Sequence, residues 1–279
     1  MIRIHKTPAV PVILSGEGVA KINALNDAYT LNPAAYTSAP GVKIKSLTPM
    51  DFDSSIYGDS TVKKQLIDDQ HDKCCFCESK FLETSYGDVE HFRPKGAYQK
   101  LNSTRLSYPG YYWLAYDWDN LMFSCEKCNR SYKRNQFPLQ TEATRKLFHN
   151  HPNSIANEDP LLINPNSEDP SVHITFLKEA PHPKDGSIKG AKTIDVFKLD
   201  RMNIARLEHL RLLNLALIPT KIDLTNEEQV NLAMVTFKFT RDEVTELVTD
   251  AINLYNSAAK DSSKFALCVR INFPDLPTM

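Results

Sequence analysis

Four cysteines, arranged as two Cys-x-x-Cys pairs, are the residues of this 279-residue chain that are best suited to bind a metal. Cys74 and Cys77 form the first pair, and Cys125 and Cys128 form the second. Each short knuckle offers two thiolates, and four thiolates suit one tetrahedral Zn²⁺. Cys75 could replace Cys74 as a ligand. However, only one residue separates Cys75 from Cys77, and this spacing suits a zinc knuckle less well. The alternative is a chance set of buried cysteines. The two pairs are too far apart for a plain zinc ribbon, so another structure must lie between them.

An acid–histidine pair and two asparagines lie inside and beside this cysteine frame. The Glu90 carboxylate and the Asn129 side-chain amide offer hard oxygen ligands, which suit Mg²⁺ or Mn²⁺. His91 could take a proton from water beside that ion, and Asn120 could hold the imidazole in the required tautomer. Adjacent strand residues point to opposite sides, so Glu90 and His91 need a local distortion to meet at one ion. Taken alone, His91 is more often a surface or hydrogen-bonding residue, and Asn120 is more often an ordinary turn residue. The set predicts hydrolysis at phosphorus.

Charge is concentrated locally around these residues. The whole chain has a net charge of −1 and a pI of about 6.7, so binding to nucleic acid would need a basic patch. Residues 91–135 contain eight Lys or Arg against three acids, and ten aromatic residues. Basic side chains among rings can bind phosphates and stack on bases, whereas the alternative is that most of the rings form a core. We expect phosphate contacts from Arg93, Lys95, Arg130 and Lys133.

Length and composition allow one large domain or two modest ones. We expect an N-terminal arm (1–59), a core that carries the site (60–150) and a mainly helical C-terminal region (151–279). Five of the six cysteines are clustered, which favours metal-bound thiolates in a reducing compartment over disulfides. The chain shows no signal peptide and no apolar run of the roughly 18 residues that a membrane span needs, so we expect a soluble cytoplasmic protein.

A coarse pattern of elements places these motifs. Residues 87–92 read as a strand, and 128–134 read as a helix that Pro138 ends. The last third of the chain is periodic in the manner of helices. Apolar residues at helical spacing predict one buried helix face, which comprises Ile204, Leu207, Leu210, Leu213 and Leu217. Capping-box patterns begin at Thr225 and Thr240. The fold class that we expect is therefore α+β, with a small metal-braced core in a mainly helical chain.

Together these residues resemble the HNH (ββα-metal, His-Me) endonucleases, in the subtype with four zinc cysteines around the acid–histidine strand. The resemblance implies a zinc-braced ββα-metal core. It also implies that Glu90 and Asn129 hold the catalytic Mg²⁺ or Mn²⁺, that His91 is the general base, and that Asn120 orients it. Asn129 stands where histidine is more usual, which leaves the metal preference open. Glu90 in place of aspartate is a milder departure.

The resemblance extends beyond the motif, over roughly residues 70 to 215. Segments 112–121, 137–139, 158–165 and 193–201 look like a bacterial HNH family that includes the nuclease subunit of Septu-type anti-phage systems and some retron effectors. It implies a defence endonuclease that acts on DNA, with RNA or tRNA as the other candidate, beside an ABC/SMC-like ATPase.

The chain has no Gly-x-x-x-x-Gly-Lys-Ser/Thr loop, so ATP would belong to that partner. The helical C-terminal region is the candidate docking surface for it. The alternative function is a non-catalytic, zinc-braced module that binds nucleic acid or the ATPase.

Overall fold

Most of the regular structure is helical, and the strands are short. A computed structural model describes residues 1–39 and 43–278; residues 40–42 of the predicted N-terminal arm and residue 279 lie outside that part. The α-helices are α1 (Val19–Leu31), α2 (Pro33–Tyr36), α3 (Ser54–Tyr57), α4 (Ser60–Asp69), α5 (Ile188–Phe197), α6 (Asn203–Ala216), α7 (Glu227–Phe237), α8 (Arg241–Ser257) and α9 (Ala266–Asn272). The strands are β1 (Asp88–His91), β2 (Tyr98–Gln99), β3 (Leu106–Ser107), β4 (Leu121–Ser124), β5 (Ile174–Leu177) and β6 (Ala180–Pro183). Segments Leu14–Gly18 and Lys127–Lys133 are π-helical.

Short 3-10 turns connect these elements. They lie at Ile44–Ser46, Tyr112–Leu114, Trp118–Asn120, Glu142–Thr144, Ile155–Asn157, Pro170–Val172, Lys184–Gly186, Leu199–Met202 and Ile218–Lys221. In the described residues the strands form three two-stranded sheets, β1–β4, β2–β3 and β5–β6. The predicted combination of helices and small sheets is therefore confirmed.

The sheet that matters for the site pairs β1 with β4 in antiparallel fashion. Asp88 lies opposite Ser124, and His91 lies opposite Leu121. The Lys127–Lys133 helix begins directly after this second strand. The β1–β4 sheet is therefore followed along the chain by a helix, while β2 and β3 lie in the segment between its two strands.

The described chain packs as two units. The first comprises Met1–Ile174 and Pro183–Leu199, so the predicted arm, the predicted core and the start of the 151–279 region belong to one unit. Its interior is aromatic, and the Phe76 and Phe197 rings stack with their centroids 3.9 Å apart. Most rings from the basic window are buried, namely Phe92, Tyr98, Tyr111, Tyr112, Tyr116, Trp118 and Phe123. The interpretation of these rings as core residues is confirmed.

The second unit comprises Thr175–His182 and the residues from Asp200 onward. Val244 and Val248 of α8 pack against Ala233 of α7. The predicted capping box at Thr240 is present. The Thr240 hydroxyl accepts from the Glu243 backbone amide, and the Glu243 carboxylate accepts from the Thr240 backbone amide.

Two expectations for this unit were wrong. The N-cap of α7 is Asn226, not Thr225: the Asn226 side chain accepts from two backbone amides of the first turn, while the Thr225 hydroxyl donates to Asp223. The predicted buried face of α6 is also incomplete. Leu210 and Leu213 are buried, whereas Ile204 is exposed. Among the described residues, no helix is long and apolar enough to cross a lipid bilayer.

Candidate active site

The four predicted metal cysteines come together. The sulfur atoms of Cys74, Cys77, Cys125 and Cys128 all lie within 4.8 Å of one another, and all four residues are buried. Backbone bonds tie each knuckle to its turn, from Glu78 N to Cys74 O (3.0 Å) in the first and from Asn129 N to Cys125 O (3.1 Å) in the second. A set of four sulfurs at this separation can hold one metal ion.

Cys75 lies outside this set, which settles the choice between Cys74 and Cys75. The Cys75 backbone amide donates to the Phe123 carbonyl (3.1 Å) and so continues the hydrogen bonding of β4. Burial raises the pKa of the Cys74 and Cys128 thiols above their usual range. Burial thus makes the thiolate forms costly, and a bound cation offsets the cost of ionising them. The chemistry of the four sulfurs therefore fits a structural Zn²⁺.

His91, the last residue of β1, has a buried ring with a defined hydrogen bond. Nε2 lies 2.9 Å from the backbone oxygen of Ala115, and the ring packs edge-on against Tyr57. A carbonyl oxygen can only accept, so Nε2 carries the proton and Nδ1 of the neutral ring is left with its lone pair. Burial, together with the charge of Lys95, lowers the pKa of His91 well below its usual range. The ring is therefore neutral at pH 7 and can accept a proton at Nδ1.

Glu90 is buried beside a buried lysine. The Lys133 ammonium donates to Glu90 Oε1 (2.5 Å) and to the His91 backbone oxygen (2.8 Å). Burial raises the pKa of the Glu90 carboxyl above its usual range, and the Lys133 charge limits the rise. This location favours an internal role for Lys133 over the predicted phosphate contact.

Asn129 lies on the helix that follows β4. Its Nδ2 donates to Asp88 Oδ2 (3.2 Å), and Asp88 also receives two bonds from Arg130. Asn129 lines a cavity of about 310 Å³ together with Glu90 and His91. The structure thus brings three of the four predicted catalytic residues to one cavity, because the helix lies against β1, with Asn129 bonded to Asp88 and Lys133 bonded to Glu90.

The cavity walls come from three parts of the first unit. They comprise Phe52, Val89, Glu90, His91, Pro94, Lys95, Gly96, Asn129, Arg130, Arg134 and Asn135. The lining therefore combines three basic side chains with one histidine and three side chains, Glu90, Asn129 and Asn135, whose oxygens could bind a cation. Three of the eight basic residues in the 91–135 window, Lys95, Arg130 and Arg134, lie at this opening.

Among the described residues, no hydrogen bond joins the Asn120 side chain to the His91 ring. Its Oδ1 accepts from the Arg93 amide (2.7 Å), and its Nδ2 donates to the Arg93 and Leu114 carbonyls (both 3.0 Å). Leu114 precedes Ala115, the partner of His91. The buried Asn120 side chain therefore joins the end of β1 to the turn that holds the imidazole, and it acts on His91 through the backbone.

The predicted phosphate-binding side chains differ in their surroundings. Arg93 is largely buried, and its guanidinium donates to Glu158 (3.0 Å). Lys95 Nζ lies 4.4 Å from the centre of the Tyr57 ring, at the cavity. Arg130 is exposed, and Arg134 is an exposed lining residue that the sequence did not single out.

Sequence reasoning also missed Asp88, Phe52 and Tyr57. Asp88 stands two residues before Glu90, and this spacing places both side chains on one face of a strand, so a signal was present. Phe52 and Tyr57 come from the segment before the first knuckle, and no local pattern connects them with His91.

Two curated proteins similar to this chain are both named Septu protein PtuB. The one from Bacillus mycoides (strain KBAB4) is 43% identical over 154 residues, which cover 55% of this chain and 51% of the relative. The one from Bacillus thuringiensis is 30% identical over 181 residues, 64% of this chain and 54% of the relative. The chain thus spans about half the length of the curated relatives it matches. No family model matches the chain. No solved structure is significantly similar to it. The similarity supports the predicted relationship to Septu proteins.

Proposed function

We propose that this chain is an HNH-type, metal-dependent endonuclease that hydrolyses phosphodiester bonds in DNA, with RNA or tRNA as the other candidate substrate. The observation that carries the proposal is the cavity lined by Glu90, His91 and Asn129, in which the imidazole is held through Nε2. A neutral histidine with one nitrogen bonded to a carbonyl and the other left as an acceptor suits a general base.

The chain's own residues account for the proton and the orientation. His91 Nδ1 accepts a proton from water, the water oxygen forms a bond to phosphorus, and the bond from phosphorus to the 3′ oxygen breaks. Ala115 keeps the proton of the neutral ring on Nε2, and Asn120 fixes the turn that carries Ala115. A divalent ion held by Glu90 and Asn129 would stabilise charge on the departing oxygen.

Positive side chains at the cavity suit a phosphate substrate. Lys95, Arg130 and Arg134 line the opening, and a polyanion approaching it would gain mainly from Lys95 and Arg134, because Arg130 is paired with Asp88. Arg93 is paired with Glu158, so we assign it a role in holding the loop after β1.

A second candidate function is favoured by a different observation. The Glu90 carboxylate, one of the two proposed ion ligands, is already paired with Lys133. If that pair is purely structural, the chain is a zinc-braced module that binds nucleic acid or a partner protein without cutting.

Cleavage assays separate the two functions. Plasmid DNA and bulk tRNA are incubated with wild-type protein, His91→Ala and, as a matched control, His5→Ala, which alters an exposed histidine outside the cavity. Mg²⁺, Mn²⁺ and EDTA are compared. The nuclease predicts metal-dependent cutting that is lost only in His91→Ala. Binding of DNA by all three proteins without any cutting, also in the presence of the ATPase, would establish the binding module.

We further propose a role in Septu-type anti-phage defence beside an ABC/SMC-like ATPase. The names of the two relatives support the first part. Exposed apolar side chains on the second unit support a docking surface, with Leu232 at 67% and Val235 at 78% exposure on α7. Leu232→Glu and Val235→Glu should each weaken co-purification with the ATPase, whereas Asn231→Glu on the same helix should not. Equal recovery with all three variants would reject this surface.

A further inference from the structure

Asp88 connects the strand that carries Glu90 with the helix that carries Asn129. Residues two apart on a strand face the same side, so Asp88 and Glu90 share a face of β1. From this face the Asp88 carboxylate accepts three hydrogen bonds. Oδ2 accepts from Asn129 Nδ2 (3.2 Å) and from Arg130 Nε (2.8 Å), and Oδ1 accepts from Arg130 Nη2 (2.5 Å).

This contact decides which way the Asn129 amide points. A side-chain amide has a donor end and an acceptor end, and an ionised carboxylate can only accept. The end of Asn129 that meets Asp88 must therefore be its NH₂ group. The oxygen is then held on the other branch of the amide, and the residue lines the cavity that also contains Glu90.

The direction of the amide matters for a hard cation. Mg²⁺ and Mn²⁺ are bound by oxygen, whereas an NH₂ group turned toward the ion would present hydrogen atoms with partial positive charge. An amide free to turn about its terminal torsion would also lose rotational freedom each time the ion binds.

Arg130 holds the carboxylate in this arrangement. Its bidentate contact fixes the plane of Asp88 and offsets its negative charge, while the Arg130 guanidinium itself remains largely exposed. Asp88 is thereby kept in contact with the helix.

We infer that Asp88 is a positioning residue that orients the Asn129 amide with its oxygen toward a divalent cation bound beside Glu90. The inference rests on the proposed function, since that function supplies the ion. It assigns Asp88 no contact with the ion, and this separates it from the competing idea that Asp88 is a third ligand.

Affinity for Mn²⁺ tests the inference without any cleavage assay. The zinc-loaded full chain is titrated with Mn²⁺ at pH 7, and free Mn²⁺ is followed by electron paramagnetic resonance. Asp88→Ala should weaken binding about tenfold, the lower end of what loss of an orienting partner costs. Glu126→Gln removes an exposed acid near the same helix and serves as the control for charge, so it should bind as wild type.

A second background distinguishes positioning from ligation. Asn129→Asp presents oxygen in either orientation, so adding Asp88→Ala to it should not weaken Mn²⁺ binding further. If Asp88 is a ligand, the loss appears in both backgrounds, and the inference is overturned. Equal affinity of wild type and Asp88→Ala also overturns it.

Glu90→Ala distinguishes a failure of the proposed ion site from a failure of the role assigned to Asp88. If wild type binds Mn²⁺ and Glu90→Ala does not, the ion site stands whatever Asp88 does. If wild type does not bind Mn²⁺, or Glu90→Ala binds equally well, the proposed ion site fails and the inference about Asp88 fails with it.

Discussion

The Lys133 ammonium and the Glu90 carboxylate form an ion pair inside the first unit, with 2.5 Å between Nζ and Oε1 and both side chains almost completely buried. The same ammonium donates to the His91 backbone, so one lysine holds the end of β1 against the helix that follows β4. Two residues of the proposed site therefore depend on a side chain that cannot reach solvent.

Lys133→Met should destabilise the first unit strongly. The substitution leaves Glu90 buried without its counter-charge, which costs about 3–5 kcal/mol. Both tryptophans lie in this unit, so tryptophan fluorescence during urea denaturation measures its free energy of unfolding. Adding Glu90→Gln to Lys133→Met removes the unpaired charge and should restore part of that energy. A single variant as stable as wild type would show that the pair contributes nothing.

Asn120→Ala should lower stability and cleavage together. The change leaves the Arg93 amide and the carbonyls of Arg93 and Leu114 without their partner, at about 1–3 kcal/mol for a group left buried and unpaired. Asn120→Asp keeps the acceptor but replaces the donor, so it should also fail to hold Leu114. Urea denaturation and the plasmid assay measure the two effects. Stable protein with full activity in both variants would contradict the assigned role.

The cysteine set predicts the zinc content. Wild-type protein should contain one Zn²⁺ per chain, Cys125→Ser should lose it, and Cys75→Ser should keep it, because Cys75 lies outside the four-sulfur set. A chromogenic chelator measures the amount of Zn²⁺ that is released after the thiols are blocked. Loss of zinc in Cys75→Ser, with retention in Cys74→Ser, would reverse the assignment.

His209 should make the second unit sensitive to acid. Burial, helped by the Lys264 charge, lowers the pKa of His209 to about 4, and its Nε2 has no hydrogen-bond partner in the described part of the chain. An unfolded histidine titrates near pH 6.5, so between these values the unfolded state binds more protons than the folded state. The free energy of unfolding should therefore fall as the pH drops from about 6.5 to about 4, and this contribution should stop changing below that.

Circular dichroism of the helices follows this unfolding. Because His209 is only half-buried, we expect a contribution of about 1–2 kcal/mol, less than the full shift would give. His209→Leu removes the titrating group and should be at least as stable at pH 7 and less sensitive to acid. An unchanged pH profile in that variant would assign the acid sensitivity to other groups.

Local patterns predicted the elements that depend on local physics. The strand expected at 87–92 is β1 at Asp88–His91, and the capping box at Thr240 is present, because alternation and caps act over a few residues. Lys133 behaves differently. Lysine is rarely fully buried, and the residues next to Lys133 in the sequence do not indicate that Glu90 is its partner.

The rest of the site depends on contacts between distant segments. Phe52 lines the cavity and Tyr57 packs against the His91 ring, both from the N-terminal region, and the spacing of residues does not encode such a meeting. The four cysteines were accessible to prediction because metal ligands obey fixed spacing rules. The direction of the Asn129 amide was not, since it follows from its contact with Asp88.

The chain passes between the two units three times, because residues 175–182 pack with the residues after Leu199 although Pro183–Leu199 belongs to the first unit. Arg206 of α6 lies 5.1 Å from the ring of Phe176, which shows how closely the inserted hairpin joins its unit. Exchange of modules between relatives therefore cannot proceed through a single crossover near residue 200. A chimera that receives a foreign second unit must therefore receive the matching residues 175–182 as well. A donor fragment that starts at Asp200 would lack the hairpin residues that pack within that unit.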